Sequence, residues 1–76
     1  MLGPFWIMTS RELRRILKRF GCVEVRQRGL HLFIRCGTCT TVVPVHKGED
    51  LGPGLLASIE RDLEGCLGKD WYKNEQ

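Results

Sequence analysis

The 76-residue sequence predicts an α+β fold of order αβββα, a three-stranded antiparallel sheet covered on one face by two helices. Three observations carry this. Apolar residues recur at helical spacing near either end, the apolar period drops to two between those segments, and glycine-containing turns divide the middle stretch into three strands.

The first helix opens on Thr9, Ser10, Arg11 and Glu12, a capping box in which the Thr9 hydroxyl and the Glu12 carboxylate take up the first free amides. Leu13, Ile16, Leu17 and Phe20 then form one apolar stripe, Arg and Lys fill the opposite face, and Gly21 is placed to end the helix. Past Gly21, Val23 and Val25 alternate with Glu24 and Arg26, which reads as a half-buried strand. Gly29 and Leu30 interrupt it. Residues 31–36 read as a second strand, residues 37–40 as a turn, and the β-branched residues 41–46 as a third strand, which Pro44 assigns to an edge. After a loop with three glycines and a proline, Leu55, Leu56, Ile59, Leu63 and Leu67 recur at helical spacing up to Gly68.

The chain is read as a single domain, with residues 1–8 as an extension, 9–67 as the core and 68–76 as a polar tail in which Trp71 and Tyr72 have no assigned role. A domain of this size buries roughly 60% of its unfolded surface, so there is no room for a separate cofactor domain. No apolar run approaches the roughly 18 residues of a membrane span, and residues 1–8 lack the features of a signal peptide, so a soluble, cytoplasmic protein is expected. Reduced thiols are the matching expectation for Cys22, Cys36, Cys39 and Cys66. Cys36 and Cys39 have the spacing of half a zinc knuckle, but Cys22 and Cys66 stand isolated in the sequence, so neither a metal nor a cofactor is expected.

A net charge of +3 conceals its distribution. Residues 11–35 hold eight Lys and Arg against two acids, whereas residues 49–76 hold three against seven. On the second strand, Leu32, Ile34 and Cys36 are the more apolar set, which leaves His31, Phe33 and Arg35 on the uncovered face. If residues 37–40 are a four-residue connection, His31 stands opposite His46, and Val43 and Val45 join the core. A three-residue loop would turn His46 inward, since a one-residue slip exchanges the two faces. The even loop buries two valines and is preferred. The uncovered face then carries Arg26, Arg28, His31, Phe33, Arg35 and His46.

Clustered cations with few acids suit a phosphate backbone, and Arg14, Arg15, Lys18, Arg19, Arg26, Arg28 and Lys47 are the candidate RNA contacts. Histidine shuttles protons near neutral pH, and RNA carries its own nucleophile in the 2′-hydroxyl, so His31 with neighbouring guanidinium groups could cleave RNA without a metal. His31 is the catalytic candidate. His46, Gly29 and Arg35 are candidates for supporting roles. A module that binds structured RNA by shape without cutting it is the alternative.

The basic first helix, Gly29, Leu30 and His31 entering the second strand, Pro44, His46 and Gly48 at the end of the third, and residues 51–55 opening an acidic second helix resemble the HicA toxins, or YcfA-like mRNA interferases. The resemblance runs from about Met8 to Leu67. It implies a double-stranded-RNA-binding-domain-like fold, ribosome-independent cleavage of mRNA as an endoribonuclease, and neutralisation by a cognate HicB-like antitoxin. The family's catalytic histidine falls on His31, while its Pro-x-His-x-Gly pattern falls on Pro44, His46 and Gly48. One residue departs from the pattern: Leu30 stands where the family usually has serine.

Overall fold

The computed structural model describes residues 8–45, 50–69 and 71–72, so the expectations placed on His46, Lys47 and Gly48 lie outside the described residues. The order is β1 (Met8–Thr9), α1 (Ser10–Arg19), β2 (Val23–Arg28), β3 (His31–Cys36), β4 (Cys39–Pro44), β5 (Asp50–Leu51) and α2 (Pro53–Leu67). The predicted αβββα layout is present, with one addition: β1 and β5 form a two-residue antiparallel ribbon that sets Met8 opposite Leu51, both buried.

The α1 start is the predicted capping box. The Glu12 amide donates to Thr9 Oγ1 at 3.2 Å, and the Thr9 amide donates to Glu12 Oε1 at 2.9 Å. At the other end, Gly21 takes a φ of +83°, and the Gly21 and Cys22 amides donate back to the Lys18 and Leu17 carbonyls. This is a Schellman closure, whose left-handed position suits glycine. Leu13, Ile16 and Leu17 share a core with Leu32, Ile34 and Val43, so α1 lies over the even-numbered face of β3. In α2, Pro53 holds the first turn, Leu56, Ile59 and Leu63 are buried, and Asp62 accepts a 3.0 Å bond from the buried Thr41 hydroxyl of β4.

The sheet order is β2-β3-β4, antiparallel throughout, which leaves β4 at an edge as Pro44 required. The connection between β3 and β4 is Gly37 and Thr38 alone, because Cys36 pairs with Cys39. His31 therefore stands opposite Pro44, two residues from the expected partner. A shift of two preserves the face: Val43 is fully buried and Val45 packs against the core, as expected.

Strand β2 departs further from its expected state. All six of its residues are exposed, with Val23 and Val25 each at 50%. A bulge between Glu24 and Arg26 changes the phase, so Val23 pairs with Arg35 on the open face and Glu24 takes the helix-side position opposite Ile34. The extra residue of a bulge breaks period-two inference at one point.

The expectation of reduced thiols is also corrected. Cys22 is bonded to Cys36, and Cys39 to Cys66. Continuing the register beyond Val23 and Arg35 sets Cys22 opposite Cys36, and the fold of α2 over β4 brings Cys66 to Cys39. Cysteines that look isolated along the chain are neighbours once the strands pair.

Trp71 closes the helix layer. It is 1% exposed, lies among Met8, Leu13, Leu56 and Ile59, meets Phe20 and Tyr72 edge-on, and donates its indole N–H to the Glu60 carbonyl at 3.3 Å. The buried core thus extends to Met8 and to Trp71, both outside residues 9–67.

Candidate nucleic-acid interface

With both helices on one side, the other face of the sheet is left uncovered. It presents Val23, Arg26 and Arg28 from β2, His31, Phe33 and Arg35 from β3, and Thr40, Val42 and Pro44 from β4. No carboxylate stands on this face among the described residues. The bulge that exposes Val23 keeps Arg26 and Arg28 beside Phe33 and His31.

His31 is the first residue of β3 and is exposed. Its position is set by the turn before it. Gly29 adopts a φ of +59°, its carbonyl accepts the Gln27 side-chain amide at 2.9 Å, and the Leu30 carbonyl accepts the Val45 amide at 2.8 Å. The left-handed φ explains the glycine of the Gly29, Leu30, His31 run. The Leu30 side chain is 52% exposed, so the turn is held by the Gln27 side chain and by the backbone bond from Val45.

Arg28 is the direct cross-strand partner of His31, with directly opposite Cα atoms about 4.5–5.5 Å apart. It is the guanidinium best placed to meet a phosphate that also reaches the imidazole. Arg35 is four residues further along β3, about 13 Å away at strand rise, so it can serve a different phosphate. Between them lies Phe33, half-buried, with the Arg26 guanidinium carbon 5.2 Å from its ring centroid.

The α1 cations belong to a separate surface. Arg11, Arg15, Lys18 and Arg19 are exposed on a helix that covers the opposite side of the sheet. Arg14 is committed to a bidentate bond with Glu24, its Nε and Nη2 donating to the two carboxylate oxygens at 2.8 and 2.9 Å. This bond, with the nearby positive charges of Arg14 and Lys18, holds the Glu24 carboxyl below the usual carboxylate range. The Glu24 partner of Arg14, a candidate RNA contact, is not visible in the sequence, because the bulge that turns Glu24 toward α1 has no signature in the pattern.

A groove of about 270 Å³ between α1 and β2, lined by residues including Leu17, Cys22, Val23 and Ile34, does not include His31. Among the described residues, no group of three or more His, Cys, Asp or Glu is disposed to hold a metal ion, and no helix is long and apolar enough to cross a membrane. The arrangement can present anionic phosphates to a row of guanidinium groups and one phosphate to an imidazole.

Comparison with known proteins adds one finding. The sequence model of a family described as HicA toxin of bacterial toxin-antitoxin matches residues 10–64, which include α1, the whole sheet and most of α2. No curated protein and no solved structure matches the chain.

Proposed function

Since the chain belongs to the HicA toxins of bacterial toxin–antitoxin systems, we propose that it is an mRNA-cleaving endoribonuclease that uses His31 as general acid or base. Family membership carries with it an antitoxin partner, which in this reading is a HicB-like protein that covers the open face. The toxin would act on mRNA in the cytoplasm, a compartment that ordinarily keeps thiols reduced, so the Cys22–Cys36 and Cys39–Cys66 bonds would be open to reduction there.

The observation that carries the proposal is the exposed His31 imidazole, with Arg28 directly opposite, on a face free of acids among the described residues. The RNA 2′-oxygen attacks the adjacent phosphorus, the bond from phosphorus to the 5′-oxygen breaks, and the products are a 2′,3′-cyclic phosphate and a 5′-hydroxyl. His31 accepts the 2′-hydroxyl proton or donates one to the leaving 5′-oxygen, and water or a second group balances the other transfer. Arg28 stabilises the charge that develops on the phosphoryl oxygens. Because RNA supplies the nucleophile, this chemistry makes no demand for a metal. Arg26, Arg28 and Arg35 hold the backbone, and Arg15, Lys18, Arg19 and Lys47 are further proposed contacts. His46 and Gly29 are proposed to support His31, Gly29 through the turn conformation.

The test is His31→Ala, assayed for fold, RNA binding and cleavage with analysis of the 3′ ends. Retained fold and binding with cleavage reduced at least about 100-fold is the expected result. Cleavage unchanged by the substitution would refute the assignment. A second reading, an RNA-binding module that does not cut, is favoured by Leu30 in place of the usual serine. It requires that the unsubstituted protein bind RNA and leave it intact.

A further inference from the structure

We infer that Phe33, with the Arg26 guanidinium over its ring, is a stacking platform for a nucleobase of single-stranded RNA, next to the phosphate presented to His31. This rests on the reading of the open face as an RNA surface, and it specifies which form of RNA that face takes.

Phe33 is the one phenylalanine, tyrosine or tryptophan on the open face among the described residues, and it occupies the centre of the face. Arg26 stands opposite it on β2 and Val42 on β4, while His31 and Arg35 lie two residues to either side on β3. Neither α1 nor α2 packs there, so the ring contributes less to the core than an inward-facing phenylalanine would. Its half-exposed surface is bounded by cations and by Val42, itself 37% exposed.

The chemistry of the pair matches a base. Aromatic rings and guanidinium planes are the two side-chain surfaces on which unpaired RNA bases stack. Here the two are already associated, with the guanidinium carbon 5.2 Å from the ring centroid. A base can lie on the ring after the guanidinium turns to a phosphate, or lie against the guanidinium while the ring supports it. In either arrangement the base is about 7 Å along the strand from His31, so its neighbouring phosphate reaches the imidazole and Arg28.

Duplex RNA cannot use this platform. Its bases stack on one another, and a flat sheet face meets only phosphates and riboses. The platform therefore selects single-stranded segments and loops, a distinction that the guanidinium groups alone would not make.

The test uses a short single-stranded RNA made uncleavable by 2′-deoxy substitution, and the same sequence as a duplex, with affinities read by fluorescence anisotropy. The proteins are the unsubstituted chain, Phe33→Ala, Phe33→Leu and Phe33→Trp, each checked for fold by circular dichroism. Phe33→Ala and Phe33→Leu are each expected to weaken single-strand binding roughly 5- to 150-fold, the range found for one stacked base. Phe33→Trp should retain the affinity, and duplex binding should be unchanged in all four proteins. Phe33→Leu keeps an apolar side chain of similar bulk, so a loss there reports stacking. If the unsubstituted protein binds the single strand and Phe33→Leu binds it equally well, the platform is refuted while the nuclease reading stands. Equal losses for single strand and duplex also refute it. If the unsubstituted protein binds neither RNA, the reading of the face itself is wrong.

Discussion

Reducing both disulfides should remove most of the stability of this domain. In the chain-entropy relation, the 14-residue separation between Cys22 and Cys36 corresponds to roughly 3 kcal/mol, and the 27-residue separation between Cys39 and Cys66 to roughly 3.5 kcal/mol. A single core in a chain of this length supplies about 3–5 kcal/mol, so the two crosslinks together match or exceed what the core itself supplies. The loss should fall unevenly. Strand β2 has no buried residue, and beyond its ladder with β3 it is held by the Cys22–Cys36 bond and the half-exposed Arg14–Glu24 pair. Urea unfolding followed by circular dichroism, with and without a phosphine reductant and with mass spectrometry confirming four free thiols, measures the total. Cys22→Ala with Cys36→Ala, and separately Cys39→Ala with Cys66→Ala, divide it. Hydrogen exchange locates it, the β2 amides being expected to lose protection first in the Cys22 and Cys36 variant. An unchanged urea midpoint with all four thiols free would refute the argument, as would β2 amides that stay protected in that variant.

Three further outcomes follow from the packing and the charges. Trp71→Ala should destabilise the fold by about 3–5 kcal/mol, the cost of deleting a fully buried aromatic, read as a lower urea midpoint. Glu24→Gln should cost no more than about 1 kcal/mol at pH 7, because both partners of its ion pair are well exposed to solvent. A carboxyl whose folded pKa is depressed stabilises above its unfolded value of about 4.3 and loses that contribution as pH falls through the folded value, so denaturation curves of Glu24→Gln and the unsubstituted protein should converge in acid. Arg26→Ala and Arg28→Ala should each flatten the salt dependence of single-stranded RNA binding by about 0.7 in the log–log slope. Arg14→Ala should leave that slope nearly unchanged, since its guanidinium already serves Glu24.

How much of the site could be read in advance depended on the residue. His31, Phe33, Arg26 and Arg28 are on the expected face because alternation holds along β3 and along β2 beyond its bulge. The Glu24 partner of Arg14 was not legible, because a charge count does not show which cations already have a partner. The charge count gathers the cations of residues 11–35 into one group. In three dimensions the sheet separates the α1 cations from the face that carries His31.

The order of elements, the capping box at Thr9, the inward stripes of both helices and the burial of Val43 are properties of local sequence, since each depends on hydrogen bonds or spacings within a few residues. The family resemblance, too, was legible in short motifs in a fixed order, and the match over residues 10–64 agrees with it. Tertiary structure alone decided the rest. The bulge in β2, the pairing of four cysteines, the bond between Arg14 and Glu24 and the docking of Trp71 between the helices all join residues ten or more positions apart or depend on how two strands meet. Spacing along a chain records what a single element will bury. Which elements become neighbours is settled when the sheet closes its register and the helices take one of its faces.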